Sequence, residues 1–252
     1  MKKRSLVAGL VFALFSSCQG TIELHDDGLM PDGYQQADFG EVDASVPADG
    51  GVLHDDNFFE DLPADAGSNP CAGVTCSGHG TCVVQSDGPV CICDQDFSPG
   101  DASGLTCVPT SQVCVGGPIN LDVDEDGVVD TWFEPNEWEC WMYELVNRTR
   151  ASHDDQGSPE CHKPLLWSVE WSAHGRNHSL KMKLRGSLFH EDYPWGQNCA
   201  YGCDPPCEMN MYMTGPGEGH CPPLSHHCNI MRCGFSHIGI GYVDTWNTQN
   251  FY

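Results

Sequence analysis

Residues 5–147 contain neither lysine nor arginine. The formal net charge is -25, and the eight basic residues beyond Arg4 all lie at Arg148 or later. A chain this acidic repels phosphate backbones, so nucleic acid is excluded as a partner. Trypsin is expected to leave residues 5–148, or their mature part, in one piece even in denaturant. Long apolar runs are also lacking. The one clear run, residues 6–15, is too short to span a bilayer, and no later stretch is apolar enough for a second membrane segment.

What is present points to export. Met1-Lys2-Lys3-Arg4 is a basic lead, residues 6–15 are the apolar region, and Ser16-Ser17-Cys18 supplies small residues before a cysteine. Residues 1–18 therefore read as a signal peptide. Leu14-Phe15-Ser16-Ser17-Cys18 resembles a bacterial lipobox, with Phe15 where such boxes usually carry leucine. That resemblance implies lipidation of Cys18 and a cell-surface or outer-membrane lipoprotein. Ordinary cleavage near Cys18-Gln19-Gly20 would instead release a secreted protein. Sixteen cysteines in 252 residues suit an oxidising compartment. Fifteen remain once Cys18 is lipidated or removed, an odd number.

Residues 19–70 hold thirteen Asp and Glu and no Lys or Arg. Such a segment self-repels and buries too little apolar surface to offset its ordering entropy, so it reads as a disordered acidic linker. Residues 71–107 carry six cysteines, Cys71-x4-Cys76-x5-Cys82-x8-Cys91-x-Cys93-x13-Cys107. With almost no aliphatic core, this piece needs disulfides to fold. Sequence alone leaves fifteen pairings open. Together with Gly78-His79-Gly80-Thr81-Cys82, the spacing resembles an EGF-like module. The resemblance implies Cys71–Cys82, Cys76–Cys91 and Cys93–Cys107. Ser68-Asn69-Pro70 replaces the acidic pair of calcium-binding members, so no calcium is expected in the module.

Residues 108–136 form a connector containing Asp122-Val123-Asp124-Glu125-Asp126-Gly127-Val128-Val129-Asp130. Carboxylates at alternate positions can converge on one hard cation. Here Asp122, Asp124, Asp126 and Asp130 would serve, with the Val128 carbonyl as a further ligand and Gly127 allowing the turn. The segment resembles calcium loops of the EF-hand, dockerin and thrombospondin kinds. It departs from them at the twelfth position, Phe133, where a bidentate Glu is usual. Ca2+ at residues 122–130 is the cofactor expected, against a solvated acidic turn.

Residues 137–252 change character. Trp138, Trp141, Met142, Leu145 and Val146 recur on one helical face. A second helix follows Trp167, capped by Ser168, with Trp171, Leu180 and Leu184 inward and Gly186 at its end. The segments 237–243 and 245–251 read as two strands joined tightly around Asp244. Irregularly mixed helices and strands indicate an α+β fold.

Several pieces of this region, in order, resemble the CAP superfamily of cysteine-rich secretory, antigen 5 and pathogenesis-related proteins. They are Glu144-Leu145-Val146-Asn147-Arg148, Pro164-Leu165-Leu166-Trp167, Asn177-His178-Ser179-Leu180, Leu188-Phe189-His190, Gly196-Gln197-Asn198, Met211-Tyr212-Met213-Thr214-Gly215, His226-His227-Cys228-Asn229-Ile230 and Ile238-Gly239-Ile240-Gly241. The resemblance implies an α-β-α sandwich (the SCP-like domain, residues 137–252) with an open cleft where two histidines and two glutamates can hold zinc. His190 and His226 match the histidines, with His220 an alternative to His226. Gln197 replaces one glutamate, and Gly215 falls where the other is expected; neither Glu208 nor Glu218 matches. An amide is neither a general base nor a good metal ligand, so Zn2+ in this cleft is a weak expectation. His178 reads as a packing residue. Cysteines 199, 203, 207, 221, 228 and 233, with His226 and His227, could hold a metal, but an oxidising compartment favours disulfides. No nucleophile–base pair can be placed, so the reading leans away from an enzyme. The expected function is surface-displayed capture of an extracellular ligand, such as a lipid or sterol, or engagement of a cell-surface partner. The alternative is a metal-assisted hydrolase or peptidase using His190 and His226.

Overall fold

A computed structural model describes residues 69–153, 161–191, 196–215 and 225–252. Cys18, linker residues 19–68, Glu218, His220 and Cys221 lie outside the described residues. Among the described residues, no helix is long and apolar enough to cross a membrane.

The chain first builds two small antiparallel sheets. Strand β1 (Gly80–Gln85) pairs with β2 (Gly88–Cys93), and β3 (Phe97–Pro99) pairs with β4 (Cys107–Pro109). Their centre is sulfur: Cys76, Cys91, Cys93 and Cys107 are buried, with Val74 and Phe97 packed against them. The bridges are Cys71–Cys82, Cys76–Cys91 and Cys93–Cys107, the pairs that the EGF-like resemblance implies. A four-residue helix α1 (Thr110–Val113) follows, then the hairpin of β5 (Gly117–Leu121) and β6 (Asp130–Phe133) around the acidic loop.

Helix α2 (Glu137–Ser152) opens with a reciprocal capping box between Asn136 and Glu139. A short strand β7 (Leu166–Trp167) leads into α3 (Val169–Arg185). Ser168 caps α3 by accepting from Trp171 N, and Gly186 ends it at φ +68. Strand β8 (Gly196–Tyr201), α4 (Pro205–Thr214), α5 (His226–Met231), β9 (His237–Val243) and β10 (Trp246–Phe251) complete the chain. Asp244, at φ +50, makes the tight turn between β9 and β10.

The main sheet has the order β7-β9-β10-β8, antiparallel except for β7 beside β9. Alternation along β9 sorts its two faces. Ile238, Ile240 and Tyr242 point into a core with Met142, Tyr143 and Val146 of α2, Tyr212 of α4 and Ile230 of α5. Each such aliphatic side chain stabilises the fold by about 1.5–3 kcal/mol when fully buried. Gly239 and Gly241 face α3. A Cβ at Gly241 would lie 1.9 Å from Arg176 N, and one at Gly239 would lie 2.2 Å from the Trp171 carbonyl carbon. The glycine stripe thus lets α3 rest on the sheet backbone. Helices cover both faces of an open sheet, and the fold is α+β with an α-β-α layering.

Two expectations about the helices are corrected. Leu184 is 71% exposed rather than inward. The buried face of α3 is Ser172, Ala173, Gly175, Asn177, His178, Ser179 and Met182, small or polar residues suited to the glycine stripe. Trp141 is 38% exposed, and the buried face of α2 instead includes Glu139, Tyr143, Asn147 and Arg150.

Residues 70–252 pack as one compact unit in their described parts. The small disulfide module docks on α2. Arg148 Nε donates to Cys93 O at 3.4 Å, and Asp96 N donates to Glu144 Oε2 at 3.1 Å. Gln85 Nε2 reaches Ala151 O at 2.8 Å, and Asp87 pairs with His162 at 3.0 Å.

Candidate functional site

Edge strand β8 carries the first constellation. His190 follows α3 on an exposed loop, and its Nδ1 lies 3.0 Å from Gln197 Oε1. The same oxygen accepts from Glu191 N at 3.2 Å, while Gln197 Nε2 donates to Asn250 Oδ1 at 3.0 Å. Both ends of the amide are therefore engaged. Asn198 points to the opposite face, as strand alternation requires. Its Nδ2 donates to His226 O at 3.2 Å and to Gln249 Oε1 at 3.0 Å. The His226 ring, on α5, packs 4.9 Å from that of Tyr212. The structure thus joins His190 to Gln197 directly, and links His226 to the strand through its backbone carbonyl.

Three further side chains on the α3 face were not singled out from sequence as a group. Cys199, 1% exposed, lies 3.7 Å from His190 Nδ1 and 4.0 Å from His178 Nδ1. His178 is fully buried, with Nδ1 3.1 Å from Thr248 Oγ1. Burial pushes its pKa down to about 4, so the imidazole is neutral at physiological pH. His178 packs, as its helical position suggests. Adjacent strand residues pair across β8 and β10, which only tertiary pairing reveals.

The residues around His190 do not assemble a metal centre among the described residues. No group of three His, Cys, Asp or Glu ligand atoms within 4.8 Å of one another forms there; the group that does form is Asp122, Asp124 and Asp130. Among the described residues, His190, Gln197 and His226 do not bring three such ligand atoms together. In the cysteine cluster, Cys203 bonds to Cys207, and Cys228 is also disulfide-bonded.

The acidic loop does gather oxygens. Asp122 accepts from Gly127 N at 2.9 Å and Asp126 N at 3.2 Å, and Asp130 accepts from Val123 N at 2.9 Å. Asp126 accepts from Val128 N at 2.7 Å. Gly127 sits at φ +87, where a β-carbon would be strained. Asn177 of α3 ties the loop down by donating to Asp122 O at 3.0 Å and Glu125 Oε1 at 2.9 Å. Carboxylates converging on a held loop fit Ca2+.

A third feature is an open groove of about 730 Å³ between the disulfide module and α2. Asp96, Phe97, Glu134, Glu137, Trp141 and Glu144 are among the residues lining it, and none of the described lining residues is Lys or Arg. Glu144 is 4% exposed and its pKa is raised by burial, opposed by the adjacent Arg148 guanidinium. Trp141 offers an exposed aromatic face. Sequence reading placed Trp141 in the core, and no local signal marked a groove made by two distant segments.

Fold and sulfur content define an exported, disulfide-stabilised α+β protein with helices on both faces of its main sheet. No family model matches the chain. It is 24% identical to E-selectin of Equus caballus over 234 residues, which is 85% of this chain and 35% of E-selectin. The chain thus spans about a third of the length of that protein. An extracellular protein containing an SCP domain from Bacillus anthracis str. Ames is similar over 49% of this chain and 45% of its own, at 19% identity and a TM-score of 0.35.

Proposed function

We propose that this is an extracellular CAP-domain recognition protein that binds its ligand without turning it over. The observation that supports this most is Gln197. Where the CAP resemblance expects a carboxylate, the chain has an amide whose oxygen and nitrogen are both committed to neighbours. Such a group cannot take up a proton as a general base. No observation favours the hydrolase alternative through His190 and His226.

For the ligand, the groove beside α2 is an opening of suitable size. Its carboxylates and the face of Trp141 favour a positively charged group over a lipid or sterol, because a cation gains both Coulomb attraction and contact with the aromatic ring. The test is calorimetric titration of the full mature chain with spermine. Binding weakened about tenfold by Trp141→Ala or by Glu134→Gln with Glu137→Gln, but unchanged by Glu191→Gln, beyond the C-terminus of α3 and outside the groove lining, supports the reading. Equal weakening by all three would mean diffuse attraction to an acidic protein and would remove the groove as the site. Binding of neutral phosphatidylcholine–cholesterol vesicles in place of spermine would restore the lipid reading.

Two finer features belong to the same proposal. Lipidation of Cys18 would anchor the chain at a membrane, with residues 19–70 as an acidic spacer. Ca2+ at Asp122, Asp124, Asp126, Val128 and Asp130 would rigidify the loop held by Asn177. A melting temperature that rises with CaCl2, and no longer does so in Asp124→Asn, supports calcium; no rise in the unaltered chain counts against it.

A further inference from the structure

Cys161, Cys199 and Cys233 are present as thiols. Cys199 belongs to the main sheet, but Cys161 and Cys233 lie together elsewhere. Cys161 N donates to Met231 O at 2.9 Å, which lays its segment beside the chain running to Cys233. The Cys161 thiol donates to Asp87 Oδ2 at 3.7 Å and is close enough to Cys233 to raise its pKa. Arg150, fully buried near the end of α2, holds the same two segments. Its Nε donates to Lys163 O at 2.7 Å, and its Nη1 donates to Ile230 O and, at 3.4 Å, to Arg232 O. Among the described residues its Nη2 has no hydrogen-bond partner.

We propose that Cys161 and Cys233 close into a disulfide in the exported protein. Cys161 is 6% exposed and Cys233 is exposed, so an external disulfide reaches Cys233 first. The Cys233 sulfur, deprotonated, attacks one sulfur of that reagent and expels the other as a thiolate. Cys161 then gives up its proton and displaces the reagent's remaining sulfur. The protein pair loses two electrons and two protons, and the external disulfide becomes two thiols. Burial and the neighbouring Cys161 push the Cys233 thiol up to about 11, opposed by the Arg150 charge, which keeps the thiolate fraction small and the first attack slow.

The bridge would have a structural consequence. His162, next to Cys161, receives the disulfide module through Asp87, which accepts from His162 N at 3.1 Å and lies 3.0 Å from its ring nitrogen. Cys233 sits between α5 and β9. The bond would therefore pin the docking segment of one module to the helix that carries His226.

The test needs no variant. The full chain, recovered from an oxidising compartment, is alkylated with iodoacetamide in denaturant without reductant and digested with trypsin at acidic pH. Cleavage after Arg150, Arg176 and Arg232, with Lys163 protected by Pro164, places Cys161 alone in fragment 151–176 and Cys233 alone in fragment 233–252. The expected species is these two fragments joined, two hydrogens lighter than their sum and separated by reduction. An alkyl label on either cysteine, or a bond from either to another cysteine, would overturn the proposal.

Discussion

The disulfide module and the layered α+β region solve the same problem with different materials. In the module, buried cystines stand where an aliphatic core would be. In the layered region, Met, Tyr, Val, Ile and Phe side chains pack between the sheet and α2, α4 and α5. A module of this size cannot bury enough apolar surface to offset its chain entropy, so covalent links restrict the unfolded state instead. The larger region can, and it uses its surplus to bury polar groups. Glu139, Arg150, His178, Glu208 and the Asn and Gln residues of β10 are all 3% exposed or less.

Breaking one of these buried polar contacts should have the largest effect. Glu139 is fully buried, accepts from Arg176 Nε at 2.8 Å and Tyr242 N at 3.0 Å, and completes the α2 cap. Glu139→Ala strands the Arg176 charge and should cost about 3–5 kcal/mol in denaturant unfolding. Next comes the module's own support. Removing the Cys76–Cys91 bridge with paired serines should cost roughly 2–5 kcal/mol. Hydrogen exchange should then show protection lost in β1–β4 but retained in β9 and β10. Equal loss in both would mean that the two regions unfold together and that the contrast drawn between them is wrong.

A smaller effect is expected from the glycine stripe. Gly241→Ala drives a methyl group into the Arg176 backbone and should cost about 1–3 kcal/mol, the usual penalty of overpacking. An unchanged melting temperature would show that α3 does not rest on the sheet there.

The smallest effect concerns pH. Glu208 is fully buried; Tyr242 OH donates to its Oε2, and its Oε1 has no hydrogen-bond partner. Burial raises its pKa well above the usual 4.5. The folded state therefore favours the protonated acid. That contribution is fully present below the unfolded pKa and is lost as pH rises through the folded one. Glu208→Gln, neutral throughout, should gain stability relative to the unaltered chain as pH rises above about 4.3. A difference independent of pH would refute this.

Much of the layout was legible in the sequence. Ser168 and Gly186 bounded α3 because a hydroxyl cap and a left-handed terminus are local chemistry. The β9–β10 hairpin showed in its alternation, and the spacing of six cysteines carried a recognisable module. The inner faces of the helices were harder to read. Periodicity of large apolar residues pointed to Leu184 and Trp141, whereas α3 buries small and polar residues against glycine. A helix that approaches a sheet this closely has no room for leucine, and its buried stripe does not look hydrophobic. The groove beside α2 escaped notice for another reason: its walls come from segments that are distant in sequence.

The sequence by itself determined the acidic charge, the suitability for an oxidising setting and the local elements, because each depends on composition or on neighbours a few residues apart. Only tertiary structure decided which polar groups meet. It placed His190 against Gln197, engaged both ends of that amide, tied Arg150 to the carbonyls of Lys163, Ile230 and Arg232, and held the acidic loop with Asn177. Those contacts depend on strand register and helix docking, which bring together residues that no local pattern connects.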